Sequence, residues 1–184
     1  MNTNVKTAAP VTIQSMADCG DLAVQAFVSK VPLHDLLFLD RDIRESKVLA
    51  AWRRAIEQGA VHSLVAVIDG EIVATTAVIR DPLSWSAHVA DVRLLVLPQS
   101  RGKGVGRALL EASIEHAITQ GATKLSARMT PDQRGAITLF EESGFRGEAL
   151  LRDQVRDTNG ELFDIAVLSL DVSRDGARKE AFRA

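Results

Sequence analysis

The stretch Arg101-Gly102-Lys103-Gly104-Val105-Gly106 joins an apolar run typical of a strand to an amphipathic run typical of a helix. Its three glycines alternate with other residues, so a ligand can approach the backbone closely. The first N–H groups of a helix have no internal partner, and together with the helix dipole they favour an anion. Arg101, Lys103 and Arg107 add positive charge around them. The stretch therefore predicts an anion site that suits a pyrophosphate, with a tight turn that binds no ligand as the alternative.

Two well-known phosphate loops do not fit this spacing. In a G-x-G-x-x-G fingerprint the third glycine would fall at Arg107 or Leu109, depending on which glycine comes first. In a G-x-x-x-x-G-K-[ST] loop, Leu97 stands where the first glycine is required. These mismatches exclude both the dinucleotide-binding fingerprint and the Walker A loop.

Hydrophobic periodicity on either side of this stretch predicts a series of strands and helices. The Asp69-Gly70 pair between two β-rich runs predicts a hairpin, and Thr130-Pro131-Asp132-Gln133 fits a helix capping box with Thr130 as N-cap. The predicted strands cover residues 11–16, 62–68, 71–80, 88–97, 123–129, 145–157 and 162–171. The predicted helices cover residues 17–31, 40–58, 104–120 and 130–143. We expect one mixed α/β domain over residues 11–172, with flexible tails at 1–10 and 173–184.

Composition narrows the class of protein. The 184-residue chain is 46% apolar and 25% charged, as is usual for a globular domain, and its formal net charge is -2. The charge shows no basic excess, so we expect no nucleic-acid partner. Apolar runs are too short for a membrane span. Cys19 is the only cysteine, which rules out an internal disulfide, leaves no CxxC metal pair and favours a reducing compartment, the cytoplasm.

The glycine stretch resembles a signature of the GNAT (N-acetyltransferase) superfamily, [Q/R]-x-x-G-x-[G/A]. Val96-Leu97-Pro98 precedes it, as V-x-P usually does in that family. The segment Ala136–Phe145, AITLFEESGF, is similar to the family's second signature, A-I-x-L-Y-x-x-x-G-F. The resemblance implies a mostly antiparallel twisted sheet of about seven strands with about four flanking helices. It also implies that the fourth and fifth strands, residues 88–97 and 123–129, splay apart.

The same resemblance implies that acetyl-CoA is the cosubstrate and lies in this split. Its pantetheine arm would run along the fourth strand and its pyrophosphate would bind the glycine stretch, with no metal required. The implied cofactor-binding residues are Leu95, Val96, Leu97, Arg101, Gly102, Lys103, Gly104, Val105, Gly106, Arg107, Gln133 and Phe140.

The sequence departs from the family pattern at two positions. Gln133 stands where the family often has an asparagine, and its amide could contact the cofactor arm or serve the capping box. Phe140 stands where a tyrosine commonly protonates the departing thiolate, and the chain contains no tyrosine at all. Because an ordinary thiol has a pKa of about 8.5, the thiolate can leave without that acid.

Asp91, His88 and Asp164 are the candidates for a general base. Asp91 lies in a predicted central strand, where an acid is unusual, and an ion pair with Arg93 is the alternative to catalysis. His88 begins the same strand and has a suitable ordinary pKa. Loops 32–40 and 81–87, the second with Trp85, are predicted to form the acceptor side.

Two functions follow from these patterns. The first is direct transfer of an acetyl group from acetyl-CoA to a primary amine of a small molecule, an amino acid or a peptide terminus, catalysed by Asp91 or His88. The second is a non-catalytic acyl-CoA-binding module, which the loss of the tyrosine favours. The last two strands could also pair with a second copy to form a homodimer.

Overall fold

The computed structural model describes residues 10–172, so the predicted tail 173–184 and all of the tail 1–10 except residue 10 lie outside the described residues. Within this range the chain forms helices α1 (Asp21–Lys30), α2 (Ser46–Glu57), α3 (Val105–Thr119) and α4 (Arg134–Glu142). Its strands are β1 (Thr12–Ser15), β2 (Val61–His62), β3 (Leu64–Ile68), β4 (Glu71–Ile79), β5 (Val89–Val96), β6 (Lys124–Met129), β7 (Arg146–Arg156) and β8 (Leu162–Asp171). None of the helices in this range is long and apolar enough to cross a membrane.

The strands form one sheet in the order β1, β3, β4, β5, β6, β8, β7, and the short β2 pairs with β4. Every pairing is antiparallel except that of β5 with β6. Parallel neighbours need a long crossover, and α3 supplies it here. The predicted mixed, mostly antiparallel sheet with flanking helices is thus confirmed.

The sheet has one strand more than expected, because Ser63 divides the predicted run 62–68. The side chain of Ser63 is buried, and its hydroxyl donates a hydrogen bond to the carbonyl oxygen of Thr76. The Ser63 carbonyl accepts the N–H of Met16 at 2.9 Å. These contacts separate β2 from β3, which both pair with β4, and only β3 also pairs with β1.

The β5–β6 pair separates as predicted. Only Val89, Ala90 and Asp91 are paired with β6, at Lys124, Leu125 and Ser126. Beyond them β5 stays paired with β4 as far as Val96, and β6 stays paired with β8 as far as Met129. Because β5 remains paired with β4 and β6 with β8, each strand loses hydrogen bonds only along the edge that faces the gap.

The hairpin at Asp69-Gly70 is confirmed. Both residues have positive φ angles, 51° and 80°, which is the conformation that a two-residue turn with the twist of the flanking strands requires. Asparagine, aspartate and glycine tolerate this conformation best, so the turn follows from local sequence.

Three predicted helix starts are wrong. Residues 17–20 belong to a short 3-10 turn (Met16–Asp18) and its exit, and α1 begins only at Asp21. The start of α2 moves from residue 40 to Ser46, because the Asp42 carboxylate accepts the backbone N–H of Arg44 at 2.9 Å and holds a turn there. The capping box at Thr130 does not form, because Gln133 is the N-cap of α4 and its side chain makes no capping bond.

The apolar core lies on both faces of the sheet. On one face α1 and α2 pack through Phe27, Val28 and Leu49 against strand residues that include Val65 and Leu95. On the other face α3 and α4 pack against the sheet, and this cluster includes Leu110, Leu125, Phe140 and Phe145. Helices therefore pack on both faces of the sheet.

A histidine pair makes the stability of this fold depend on pH. His62 of β2 and His116 of α3 stack with ring centroids 3.5 Å apart and planes 12° from parallel. Burial lowers the pKa of both imidazoles below 6.5, and the charge of His116 lowers that of His62 further. The folded chain thus favours the neutral rings. The stability this contributes is complete above about pH 6.5 and is lost as the pH falls through the lowered values.

We expect the Tm to fall between about pH 7.5 and pH 5.5, and His116→Gln to flatten that fall because only one half-buried imidazole then remains. Thermal unfolding followed by circular dichroism across this range measures the effect. The exposed His88, changed to glutamine, is the matched control. Equal slopes in the His116→Gln and His88→Gln variants would contradict the assignment.

Candidate functional site

The glycine stretch forms a sharp turn that leads into α3. Gly102 and Gly104 have φ angles of 71° and 79°, a region that L-residues with side chains rarely adopt. Gly104 is the N-cap of α3, and no side chain caps the helix. The first hydrogen bond of the helix runs from the N–H of Ala108 to the carbonyl of Gly104. The N–H groups before Ala108 are therefore available to an anion.

A cavity of about 650 Å³, here called the cleft, opens where β5 and β6 separate. The glycine stretch closes one end and α4 forms one wall. The cleft is lined by Asp35, Phe38, Val92, Leu94, Leu95, Val96, Arg101, Gly102, Gly104, Gly106, Arg107, Arg128, Met129, Asp132, Gln133, Arg134, Gly135, Ala136, Thr138, Leu139, Phe140 and Glu142. Its size falls in the ordinary range for ligand pockets, about 300–1,000 Å³.

The structure brings nine of the twelve predicted cofactor-binding residues together around this cleft. These are Leu95, Val96, Arg101, Gly102, Gly104, Gly106, Arg107, Gln133 and Phe140. The other three do not line it. Leu97 and Val105 are buried, with 1% and 2% of their surface exposed, and Lys103 is exposed beside the turn.

The backbone of β5 presents polar groups to the cleft. The N–H of Leu97 donates to the carbonyl of Val73 on β4 at 2.9 Å. Hydrogen-bonding direction alternates along a strand, so Leu94 and Val96 direct their backbone groups to the opposite, open edge. The Val96 carbonyl already accepts the Arg101 Nε–H at 3.2 Å. An extended ligand could pair with this edge as a further strand would.

The segment between α1 and α2 includes loop 32–40, which was predicted to form the acceptor side, and it contributes Asp35 and Phe38 to the lining of the cleft. Asp35 itself was not singled out from the sequence. Asp35 of the 3-10 turn Leu33–Leu36 is 9% exposed, and its carboxylate accepts the Arg101 guanidinium at 2.5 Å. The Gln133 amide contacts the same carboxylate at 3.5 Å. In the sequence, an aspartate among Leu33, Leu36, Leu37 and Phe38 was the available signal, because an acid is rarely buried without a partner.

A second contact ties the same turn to the start of α4. His34 Nε2 lies 2.7 Å from the Asp132 carboxylate and 3.4 Å from the Thr130 hydroxyl. Burial alone would raise the pKa of Asp132, but the hydrogen bonds of Thr130 and His34 hold it below its usual range. This use of Thr130 explains why it does not cap α4.

Phe140 forms part of the apolar wall of the cleft. It is 3% exposed, and its ring meets that of Phe145 edge to face, with centroids 5.0 Å apart and planes at 81°. A phenyl ring carries no proton to donate. Leu139 and Met129 line the cleft beside it, so this wall can pack against an apolar group but cannot act as an acid.

The three candidate bases have different surroundings. Asp91 is the last residue of β5 paired with β6, and its carboxylate accepts the Arg93 Nε–H at 2.7 Å and lies 3.4 Å from the Ser126 hydroxyl. His88 is exposed at the paired end of β5, where its carbonyl accepts the N–H groups of Thr123 and Lys124. Asp164 accepts the N–H of Asp153 at 2.9 Å within the β7–β8 pair. None of the three lines the cleft, and Asp91 lies closest to it along β5, next to Val92.

Among residues 10–172, no group of three or more histidine, cysteine, aspartate or glutamate side chains is arranged to hold a metal ion. The polar groups of the cleft include backbone N–H groups, arginines and an amide, which are ligands for an anion and an extended polar chain. The carboxylates of Asp35, Asp132 and Glu142 also line it, and those of Asp35 and Glu142 pair with Arg101 and Arg107.

Comparison with known proteins identifies the family of this chain. Residues 31–145 match the acetyltransferase (GNAT) family. This covers more than half of the chain, and the protein belongs to that family.

Curated relatives match over part of their length. Rat N-acetyltransferase 8 is 34% identical over 91 residues, 47% of this chain and 41% of the relative, and the mouse protein of the same name is 32% identical over 84 residues. The match thus spans about two fifths of these relatives.

Solved structures share the fold at low sequence identity. A ribosomal-protein-alanine N-acetyltransferase from Brucella melitensis superposes with a TM-score of 0.71 at 19% identity, covering 86% of this chain and 98% of that one. The protein yncA from Salmonella typhimurium, whose structure includes its cofactor acetyl-CoA, superposes with a TM-score of 0.72 at 20% identity, covering 89% and 95%.

Proposed function

We propose that this protein transfers the acetyl group of acetyl-CoA to a primary amine on a small molecule, an amino acid or a peptide terminus. The observation that carries the proposal is the cleft between the separated ends of β5 and β6, which ends on the uncapped start of α3. Membership of the acetyltransferase family and the acetyl-CoA found in a protein of the same fold support it.

The residues of the cleft fit the parts of this cosubstrate. The N–H groups at Val105, Gly106 and Arg107, with the arginine side chains, would hold the pyrophosphate. The backbone of Leu94 and Val96 would hold the amide groups of the pantetheine arm, and Gln133 could add a side-chain contact. Phe140 would pack beside the thioester. Lys103, outside the lining, would add charge near the pyrophosphate.

The chemistry needs little more than positioning. When bound, acetyl-CoA supplies an activated acetyl thioester. The neutral amine attacks the carbonyl carbon, the C–S bond breaks, and the thiolate leaves. A backbone N–H of β5 near Val96 would stabilise the negative charge on the carbonyl oxygen. The proton of the attacking nitrogen passes to a base, for which we propose Asp91, with His88 as the alternative.

Loss of the usual tyrosine is compatible with this reaction. Phe140 cannot protonate the thiolate, but a thiol with a pKa of about 8.5 is a tolerable leaving group near neutral pH. The proton can come from water, or the base that took it from the attacking nitrogen can return it to the thiolate. The same Phe140 also favours a second function, a non-catalytic acyl-CoA-binding module. Such a module would bind acetyl-CoA without releasing thiol from it.

We expect the protein to bind acetyl-CoA and to release free thiol from it in the presence of a primary amine. Calorimetry gives the Kd, and a thiol reagent follows release across a panel of amines. Omission of the amine is the control. Binding without turnover on any amine would establish the non-catalytic module, and absence of binding would refute both functions.

Two proposals concern the setting of the protein. A homodimer through β7 is supported by the position of that strand at the sheet edge, and sedimentation velocity tests it.

A cytoplasmic location is supported by the single, buried Cys19, and imaging of the tagged chain tests it.

A further inference from the structure

A second cavity, here called the α2 pocket, lies on the other face of the sheet from α3. It has a volume of about 280 Å³. Helix α2, the segment before it and strands β4 and β5 enclose it. Its apolar lining includes Val48, Trp52, Ala55, Ala77, Ile79 and Leu95.

The floor of the α2 pocket is buried and mostly apolar. Thr75, Ala77 and Leu95 are only 2%, 6% and 6% exposed. The Thr75 hydroxyl donates to the Leu64 carbonyl at 2.9 Å, so it is already satisfied. The floor therefore favours an apolar group and offers no free hydrogen-bonding partner from this residue.

The α2 pocket and the cleft meet along β5. Leu95 lines both cavities, and Asp40, which lines the α2 pocket, reaches towards the cleft. One Asp40 oxygen accepts Arg93 Nη2 at 2.8 Å, and the other lies 3.6 Å from Nη1 of Arg128, which lines the cleft. Asp40 thus marks the junction between the two cavities.

Asp40 is ionised at neutral pH and still accessible. Burial alone would raise the pKa of Asp40, but the hydrogen bond and charge of Arg93, with the charges of Arg128 and Arg41, hold it below 3.8. Its side chain is 59% exposed. A carboxylate can accept more hydrogen bonds than these two arginines supply, so an ammonium group could bind beside them.

We infer that the α2 pocket holds the side chain of the acceptor, and that the acceptor is a primary amine bearing one apolar group about the size of a leucine or phenylalanine side chain. This inference rests on the proposed acetyl transfer. The apolar group enters the pocket, Asp40 receives the amino group, and the nitrogen thereby faces the cleft. The volume, just under the lower end of about 300 Å³ for drug-sized ligands, suits one side chain and not a larger body.

The charges of the pocket argue against a polycationic acceptor. Arg41 and Arg93 line it together with only one carboxylate, that of Asp40. A second ammonium group on the same molecule would meet an arginine at close range and find no partner. We therefore expect discrimination against spermidine in favour of amines such as isoamylamine and 2-phenylethylamine.

The inference is tested by filling the pocket from α2. Ala55→Leu adds a branched side chain at the lining, whereas Ala50→Leu adds the same atoms at an exposed position on the same helix outside the lining. In Ala55→Leu we expect KM for 2-phenylethylamine to rise at least about tenfold, since each displaced methylene is worth roughly fourfold in binding. KM for ethylamine and Kd for acetyl-CoA should not change.

Equal KM values in the two variants, or a wild-type preference for spermidine, would overturn the inference. A preference for apolar amines that Ala55→Leu removes and Ala50→Leu keeps would support it.

A binding measurement separates this inference from the proposed activity. The chain has two tryptophans, Trp52 in the pocket lining and Trp85 fully exposed, so Trp85→Phe leaves Trp52 as the reporter. We expect 2-phenylethylamine to change Trp52 fluorescence saturably, spermidine to leave it unchanged, and Ala55→Leu to abolish the response. If that response appears without turnover on any amine, the proposed acetyl transfer is wrong and the assignment of the α2 pocket is supported. If turnover occurs without that response, the assignment of the α2 pocket is wrong and the proposed acetyl transfer is unaffected.

Discussion

Gly106→Val is expected to weaken acetyl-CoA binding by at least about 100-fold. A Cβ at this position would lie 3.3 Å from a methyl of Leu139 and 3.3 Å from a methyl of Val96, so the two further methyl groups must enter the cleft. They would cover the N–H groups at the start of α3. Losing two charge-assisted hydrogen bonds, each worth about 1.5–3 kcal/mol, accounts for a loss of this size. Calorimetric titration with acetyl-CoA measures it.

Gly147→Val is the matched control for this prediction. Gly147 lies on β7, away from the cleft, and a Cβ there would have no neighbour within 4 Å. We expect its Kd to equal that of the unmodified chain, and the Tm of both variants to show that they are folded. If folded Gly106→Val binds within about threefold of the unmodified chain, the pyrophosphate does not sit at the start of α3.

Asp91→Asn is expected to lower kcat/KM for the amine about 100-fold at neutral pH, the ordinary contribution of a general base. The substitution keeps the shape of the side chain and removes its ability to take a proton. Arg93 retains the Asp40 carboxylate, so the change does not leave it without a partner. Steady-state thiol release at saturating acetyl-CoA measures the rate.

The pH profile distinguishes a base from a structural ion pair. A free alkyl amine has a pKa of about 10.4, so raising the pH increases the neutral amine and should restore part of the Asp91→Asn rate. A purely structural role would lower the rate equally at every pH and lower the Tm as well. His88→Ala, measured in parallel, assigns the base to His88 if its loss is the larger. Losses below tenfold in both variants would remove both candidates.

The outlines of the fold could be predicted because they rest on local requirements. Alternation of apolar residues indicates strands, helical spacing indicates α3, and the positive φ angles at Gly70, Gly102 and Gly104 are ones that few other residues adopt. Helix starts were predicted less well. The Asp42 carboxylate accepts a backbone N–H in a turn before α2, and the Thr130 hydroxyl contacts His34, so neither side chain caps the adjacent helix.

The glycine stretch shows what the sequence alone could locate, although anion binding there stays a prediction. Its spacing and charge indicate an anion site, and nine of the twelve residues that the resemblance implied now surround one cleft. Leu97 and Val105 are exceptions for a simple reason. Leu97 follows the end of β5 and Val105 is the first residue of α3, and the side chains of both are buried in the core.

Tertiary structure alone decided which distant side chains join the site. Asp35 contacts Arg101 and Gln133, which are 66 and 98 residues away in the sequence. Asp40 contacts Arg93, which is 53 residues away. Such contacts depend on how α1 and α2 pack over the sheet, which no local pattern records. The sequence by itself determined the glycine turn and its charge, because backbone conformation there depends on the residues present. The cleft forms only because β5 and β6 separate, and the α2 pocket forms only because α2 packs over β4 and β5, so both depend on tertiary structure.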